Sequence, residues 1–121
     1  MARTNFENLR VYQLSEELAD LIWDVVHTWG AFARFTVGRQ MVRAADSIPA
    51  NIAEGTGRGT VKDKRHFVRI SRGSLYETKN WLRRAYRRKL LAEEQTVAIK
   101  PLVDSLAPML NAYLRSISTT S

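Results

Sequence analysis

The chain has 121 residues, 45% of them hydrophobic, and 19 basic against 12 acidic side chains give a formal net charge of +7. That is the length of one domain with apolar side chains enough for one core, and the charge favours an anionic partner without specifying a fold. There is no cysteine, so disulfides, thiolate metal sites and cysteine nucleophiles are excluded. The opening residues, MARTNFENLR, hold no apolar signal core, and no apolar run is long enough to span a bilayer. The reading is a cytoplasmic protein with no membrane partner.

Four stretches carry helical periodicity, and none shows strand-like alternation. The first helix is predicted over about residues 9–29, where Val11, Leu14, Leu18, Leu21, Ile22, Val25 and Trp29 share a face. Glu16, Glu17, Asp20 and Asp24 lie off that stripe, Gly30 ends it, and Gly30 to Phe35 reads as a loop. The second helix is predicted over 37–54, with Val37, Met41, Ala44, Ala45, Ile48 and Ile52 inward. Pro49 removes a hydrogen bond to the Ala45 carbonyl and is expected to kink it, with nearby Asn51 placed to satisfy that carbonyl. The glycines of Glu54 to Thr60 interrupt the helix, and Thr60 followed by Asp63 marks an N-cap with an acidic first turn.

The third helix is predicted over 61–88, with Phe67, Ile70, Ser71, Ser74, Thr78, Trp81, Leu82 and Ala85 inward. The fourth is predicted over 93–117, with Ile99, Leu102, Val103, Leu106, Met109, Leu110, Tyr113 and Ile117 inward. Pro101 and Pro108 are expected to bend it, Pro101 being an alternative start. Residues 118–121 read as a frayed tail. Four amphipathic helices with short connections predict an all-α fold, an antiparallel up-down four-helix bundle in a single domain spanning 1–121.

Charge is unevenly spread. Residues 61–91 hold eleven basic and two acidic side chains, so the whole excess lies on the third helix and its exit. At 100° per residue, Lys62, Arg65, Arg69, Arg72, Lys79, Arg83 and Arg87 fall in an arc of roughly 100°, with Tyr76 in its middle. Arginine forks interleaved with an aromatic ring suit phosphates and a stacked base. A solvated face, or a face packed on the acidic side of a neighbouring subunit's first helix, is the structural alternative. Like charges at Arg65–Arg69, Lys79–Arg83 and Arg83–Arg87 repel along the helix, and an anionic partner or an acidic neighbour would relieve that.

Other candidate chemistry is thin. Gly55, Gly57 and Arg58 form a glycine-rich turn that could hold a phosphate before the third helix, but it follows a helix and no Gly-Lys-Ser/Thr completes it. Asp24–His27 and Asp63–His66 are acid–histidine pairs without the inward carboxylates of a bundle metal site, so no metal or other cofactor is expected. Ser71 and Ser74 read as small core residues that return their hydroxyls to backbone carbonyls. Trp23, Trp29, Phe32 and Phe35 form an aromatic cluster, either a capped bundle end or a subunit interface. No catalytic residue is identified, and the chain does not read as an enzyme.

Three segments carry a resemblance over Phe6 to Ile117: FENLRVYQLSEELAD at 6–20, QMVRAADSIPANIAEGTGR at 40–58 and FVRISRGSLYET at 67–78, with MLNAYLRSI at 109–117 a weaker fourth. They resemble the four-helix bundle proteins named for reading frames inside intervening sequences of bacterial 23S ribosomal RNA genes. The resemblance implies a four-helix bundle assembling as a homo-oligomer, a ring of five, without enzymatic activity. A more distant similarity is to the accessory proteins of diversity-generating retroelements, basic pentameric bundles that bind nucleic acid and a reverse transcriptase. Members often carry an acidic residue where Lys79 stands, a glycine near Arg88 or Lys89, and a threonine cap where Gly38 stands; Pro101 and Pro108 are not typical. Residues and resemblance together lead to a non-catalytic homo-oligomer whose third helix presents basic surface to RNA or DNA. The alternative is a structural or adaptor protein whose basic face meets an acidic protein.

Overall fold

The computed structural model describes residues 6–117, so the tail expected at 118–121 lies outside the described residues. A 3-10 turn at Phe6–Asn8 leads into α1 (Arg10–His27), followed by α2 (Arg39–Thr56), α3 (Val61–Arg87) and α4 (Glu93–Ser116). The described residues contain no strand. α1 packs against α2 and α4, α3 packs against the same two, and α1 and α3 lie diagonally across the bundle. Short turns at 28–30, 57–60 and 88–92 reverse the chain between packed neighbours, as an up-down bundle requires. Leu18, Ile22, Met41, Ile48, Ile52, Leu75, Leu106 and Leu110 are fully buried at its centre.

The most extensive helix contact is between α2 and α3. It is made by small side chains and hydroxyls. Ser71 Oγ donates to the Ile48 carbonyl at 2.7 Å, and the Ser47 and Ser74 hydroxyls pair at 2.8 Å. Gly55 faces Phe67 so closely that an added Cβ would stand 3.1 Å from the Phe67 Cβ. Asn51 donates to the Ser47 carbonyl and hydroxyl at 2.8 and 2.9 Å. It therefore serves the α2–α3 seam and not the Ala45 carbonyl. α2 runs unbroken through the buried Pro49.

The segment expected to be a loop at Gly30 to Phe35 is helical from its second residue. A short α-turn, Ala31–Ala33, passes into a π-turn, Arg34–Gly38, and on into α2. Gly38 is no cap. It is buried against Val26 and Trp29, and a Cβ there would lie 2.7 Å from Val26 Cγ1. The close approach, rather than any unusual backbone angle, calls for glycine at this position.

On α3, Thr60 accepts a hydrogen bond from the Asp63 amide at 3.1 Å, the cap read from the sequence. The buried face differs from the expected one. Val68, Ser71, Leu75, Thr78 and Ala85 are buried, whereas Ile70 is exposed and Phe67, Ser74 and Trp81 are only half-buried. A heptad spacing through 68, 71, 75, 78, 82 and 85 thus replaces the broader stripe. α4 starts at Glu93, where the Gln95 side chain accepts from the Ala92 amide at 2.8 Å. It continues through Pro101 and Pro108, both on the exposed side.

α3 ends in a Schellman arrangement: Leu90 N–H reaches the Ala85 carbonyl at 2.9 Å and Lys89 N–H the Tyr86 carbonyl at 3.0 Å. Lys89 therefore sits at φ 61°, the left-handed conformation that glycine adopts without cost. Lys89→Gly should raise the unfolding free energy by about 1 kcal/mol. Urea titrations of the two proteins will check this.

Candidate nucleic-acid interface

The heptad face of α3 sets where its cations point. Lys62, Arg69, Tyr76, Lys79, Arg83 and Arg87 are exposed. Lys79 Nζ lies 5.4 Å from the centre of the Tyr76 ring, so charge and aromatic surface adjoin as the sequence suggested. Arg65 and Arg72 behave differently. Both are half-buried at the α3–α4 seam. Arg65 donates to the Leu114 and Ile117 carbonyls at 2.9 and 3.2 Å, and Arg72 to Asn111 Oδ1 at 3.0 Å. Arg65 thus supplies positive charge and donors to the carbonyl end of α4, where both are favourable. The eight-residue stripe read from periodicity divides into an outer group that is free and two arginines that bind helix to helix.

Among the described residues the side-chain ion pairs are Arg58–Glu54 at 2.8 Å and Lys100–Asp104 at 2.7 Å. None involves the outer α3 cations. Four lysines and arginines on a single face keep their charge unpaired there: Lys62, Arg69, Arg83 and Arg87. The acidic residues of α1, Glu16, Glu17, Asp20 and Asp24, are exposed on the diagonal helix.

Part of the glycine-rich turn is already bonded within the chain. Gly55 is buried inside α2, the Gly57 amide donates to the Glu54 carbonyl and the Arg58 amide to the Gly55 carbonyl, both at 3.2 Å. The Arg58 guanidinium is held by Glu54 and lies 4.6 Å from the centre of the Phe67 ring. Of the acid–histidine pairs, His27 is exposed, its Nδ1 3.1 Å from the Trp23 carbonyl, and His66 stacks edge-on to Phe67. Among the described residues no three His, Asp or Glu side chains are grouped to hold a metal ion. Among the described residues the buried hydroxyls are all committed: Ser15 donates to the Tyr12 carbonyl, Ser71 to that of Ile48 and Thr78 to that of Ser74. None of the described helices is long and apolar enough to cross a membrane.

The aromatic cluster also divides. Trp29 is buried in the core with its indole N–H unpaired, whereas Trp23, Phe32 and Phe35 are 52%, 85% and 57% exposed. Trp23, His27 and Phe35 line a groove of about 510 Å³ together with Arg34, Arg39 and Arg43. Sequence reasoning missed this second gathering of arginines and rings. Its members come from two helices and a π-turn, and the only local signal was the Arg39–Arg43 spacing, which continues no stripe. One turn further along the same helices lies Asp46, whose carboxyl is raised above the usual range by burial and then by the charge of Asp20.

An all-α helical bundle with a basic outer helix defines the class of protein. The chain belongs to the 23S rRNA-intervening sequence protein family, whose pattern matches residues 7–112. A solved structure of a protein with unknown function from the S23 ribosomal protein family of Bacteroides thetaiotaomicron superposes with a TM-score of 0.79. The two chains share 23% identity over 88% of this chain and 99% of that one, so the likeness concerns the fold. No curated protein matches the chain.

The division of the stripe has a direct test. Arg65→Ala should destabilise the bundle by about 1 kcal/mol through its lost hydrogen bonds to α4, while Arg69→Ala should change stability by less than about 0.5 kcal/mol. Chemical unfolding of both variants measures the difference.

Proposed function

We propose that this protein is a non-catalytic homo-oligomer that binds RNA or DNA phosphates through the outer face of α3. The observation that carries the reading is the row of unpaired cations Lys62, Arg69, Arg83 and Arg87 with Lys79 over Tyr76 between them. Such a face attracts a polyanion, positions its backbone and reads little sequence. Self-repulsion at Arg83–Arg87 and Lys79–Arg83 would be relieved by an anionic partner. Membership of a family named for ribosomal RNA intervening sequences is compatible with an RNA partner.

Assembly is part of the proposal. The acidic residues of α1 and the basic ones of α3 occupy diagonal helices, so they face away from each other. On the leading reading the subunits meet through surfaces other than the α3 face, which stays open to nucleic acid. The number five comes from the family resemblance. Repetition around a ring would strengthen weak phosphate contacts through avidity.

The same diagonal placement favours a second reading, in which the α3 face meets an acidic surface, either α1 of a neighbouring subunit or another protein. One variant separates the two. Arg69→Glu, Arg83→Glu and Arg87→Glu together leave the α3–α4 bonds of Arg65 and Arg72 untouched. On the leading reading this variant loses at least about a hundredfold in affinity for structured RNA near physiological salt, as expected from reversing three phosphate contacts, and sediments like the native oligomer. Unchanged RNA binding would contradict that reading. Loss of the oligomer would transfer the face to the second one. The native protein should also lose affinity with rising salt, with a log–log slope corresponding to several phosphates.

A further inference from the structure

The groove between α1 and the entry to α2 has the composition of a binding site distinct from the α3 face. The π-turn Arg34–Gly38 widens the helix at this point, and such interruptions recur at functional positions. Trp23 and His27 line it from α1, their ring centroids 4.9 Å apart, and Phe35 lines it from the π-turn. Most of the exposed lining is apolar, and Val26 and Val42 contribute to it. Arg34, Arg39 and Arg43 bring three positive charges to it. None of the three has an ion pair or a side-chain hydrogen bond among the described residues, and Arg34 lies 5.0 Å from the centre of the Phe35 ring. Asp20 and Asp46 lie one turn beyond Trp23 and Arg43 and are not part of the lining.

Exposed rings beside unpaired guanidiniums match a ligand that is planar, aromatic and anionic at once. An acidic peptide would satisfy the arginines and leave the rings uncovered. An apolar peptide would cover the rings and bury three charges against nothing. We infer that the groove takes one unpaired nucleotide of a nucleic-acid strand, its base against Trp23 and Phe35 and its phosphates on Arg34, Arg39 and Arg43. The inference rests on the reading that the protein binds nucleic acid, and it adds a preference that the α3 face alone lacks. Phosphate contacts along α3 serve duplex and single strand alike, whereas a ring-lined groove requires a base free of its stack.

The test compares two labelled probes, a short oligouridylate and a blunt RNA duplex without unpaired bases, by fluorescence anisotropy. The Trp23→Ala, Phe35→Ala double variant should bind the oligouridylate about tenfold more weakly, since stacking on one ring is lost by each substitution. Its affinity for the duplex should be unchanged. Both positions are more than half exposed, and circular dichroism melting verifies that the fold persists. Arg39→Gln with Arg43→Gln is the second variant and should show the same selective loss. The α3 glutamate variant should lose both probes together. An equal loss on the two probes, or none on the oligouridylate, overturns the groove assignment and leaves the α3 reading standing. A change of oligomeric state in the groove variants also overturns it, because the groove would then be a subunit contact. Failure of the native protein to bind either probe overturns both readings.

Discussion

The close approach of α2 and α3 is the constraint on which the rest of this structure depends. Ser71, Ser47, Ser74 and Gly55 are small enough for the two helices to meet, and their hydroxyls join the seam with bonds of 2.7 and 2.8 Å. A hydroxyl buried without a partner would be costly, so these bonds also fix the register. Once Ser71 is set against Ile48, the heptad face of α3 must run through Val68, Leu75 and Ala85. The rotation of α3 about its own axis follows from that, and with it the direction of every cation on the helix.

That rotation separates structure from surface. It places Arg65 and Arg72 at the α4 seam, where their guanidiniums reach Leu114, Ile117 and Asn111, and it turns Arg69, Arg83 and Arg87 outward. Residues of one type, at positions that look equivalent on a helical wheel, thus have different tasks. The diagonal relation of α1 and α3 adds a second consequence, a protomer acidic on one side and basic on the other. A similar logic governs the opposite edge of α2. Gly38 lets the π-turn lie against Val26 and Trp29, and the groove with its rings and arginines lies directly beside it.

Much of the fold was legible in the sequence. Periodicity located four helices to within a few residues, Thr60 declared its cap, and segments 40–58 and 67–78, which carry the resemblance, turn out to be the two sides of the α2–α3 seam. The errors have physical causes. Gly30 stopped the reading of a helix, but the chain needs only three residues to turn, so helical structure resumes at Ala31. A π-turn has no compositional signature, and Gly38 looked like a weak cap because the side chains it must accommodate belong to α1. On α3, counting Ile70 as inward widened the apparent core and shifted the basic arc away from the seam. The site was legible only as a charge excess. Which arginines are free is decided by the partner helix, and the groove draws its members from separate elements.

The cysteine-free sequence offers a direct probe of the α2–α3 seam. The Ser47 and Ser74 oxygens stand 2.8 Å apart, so Ser47→Cys with Ser74→Cys should oxidise within one chain. Mass spectrometry and thiol titration under mild oxidation would read the result. The structure predicts a single intrachain disulfide, with stability raised by about 2–4 kcal/mol through the closed loop. Thiols that remain free, or that link separate chains instead, would contradict the register from which the placement of every α3 arginine follows.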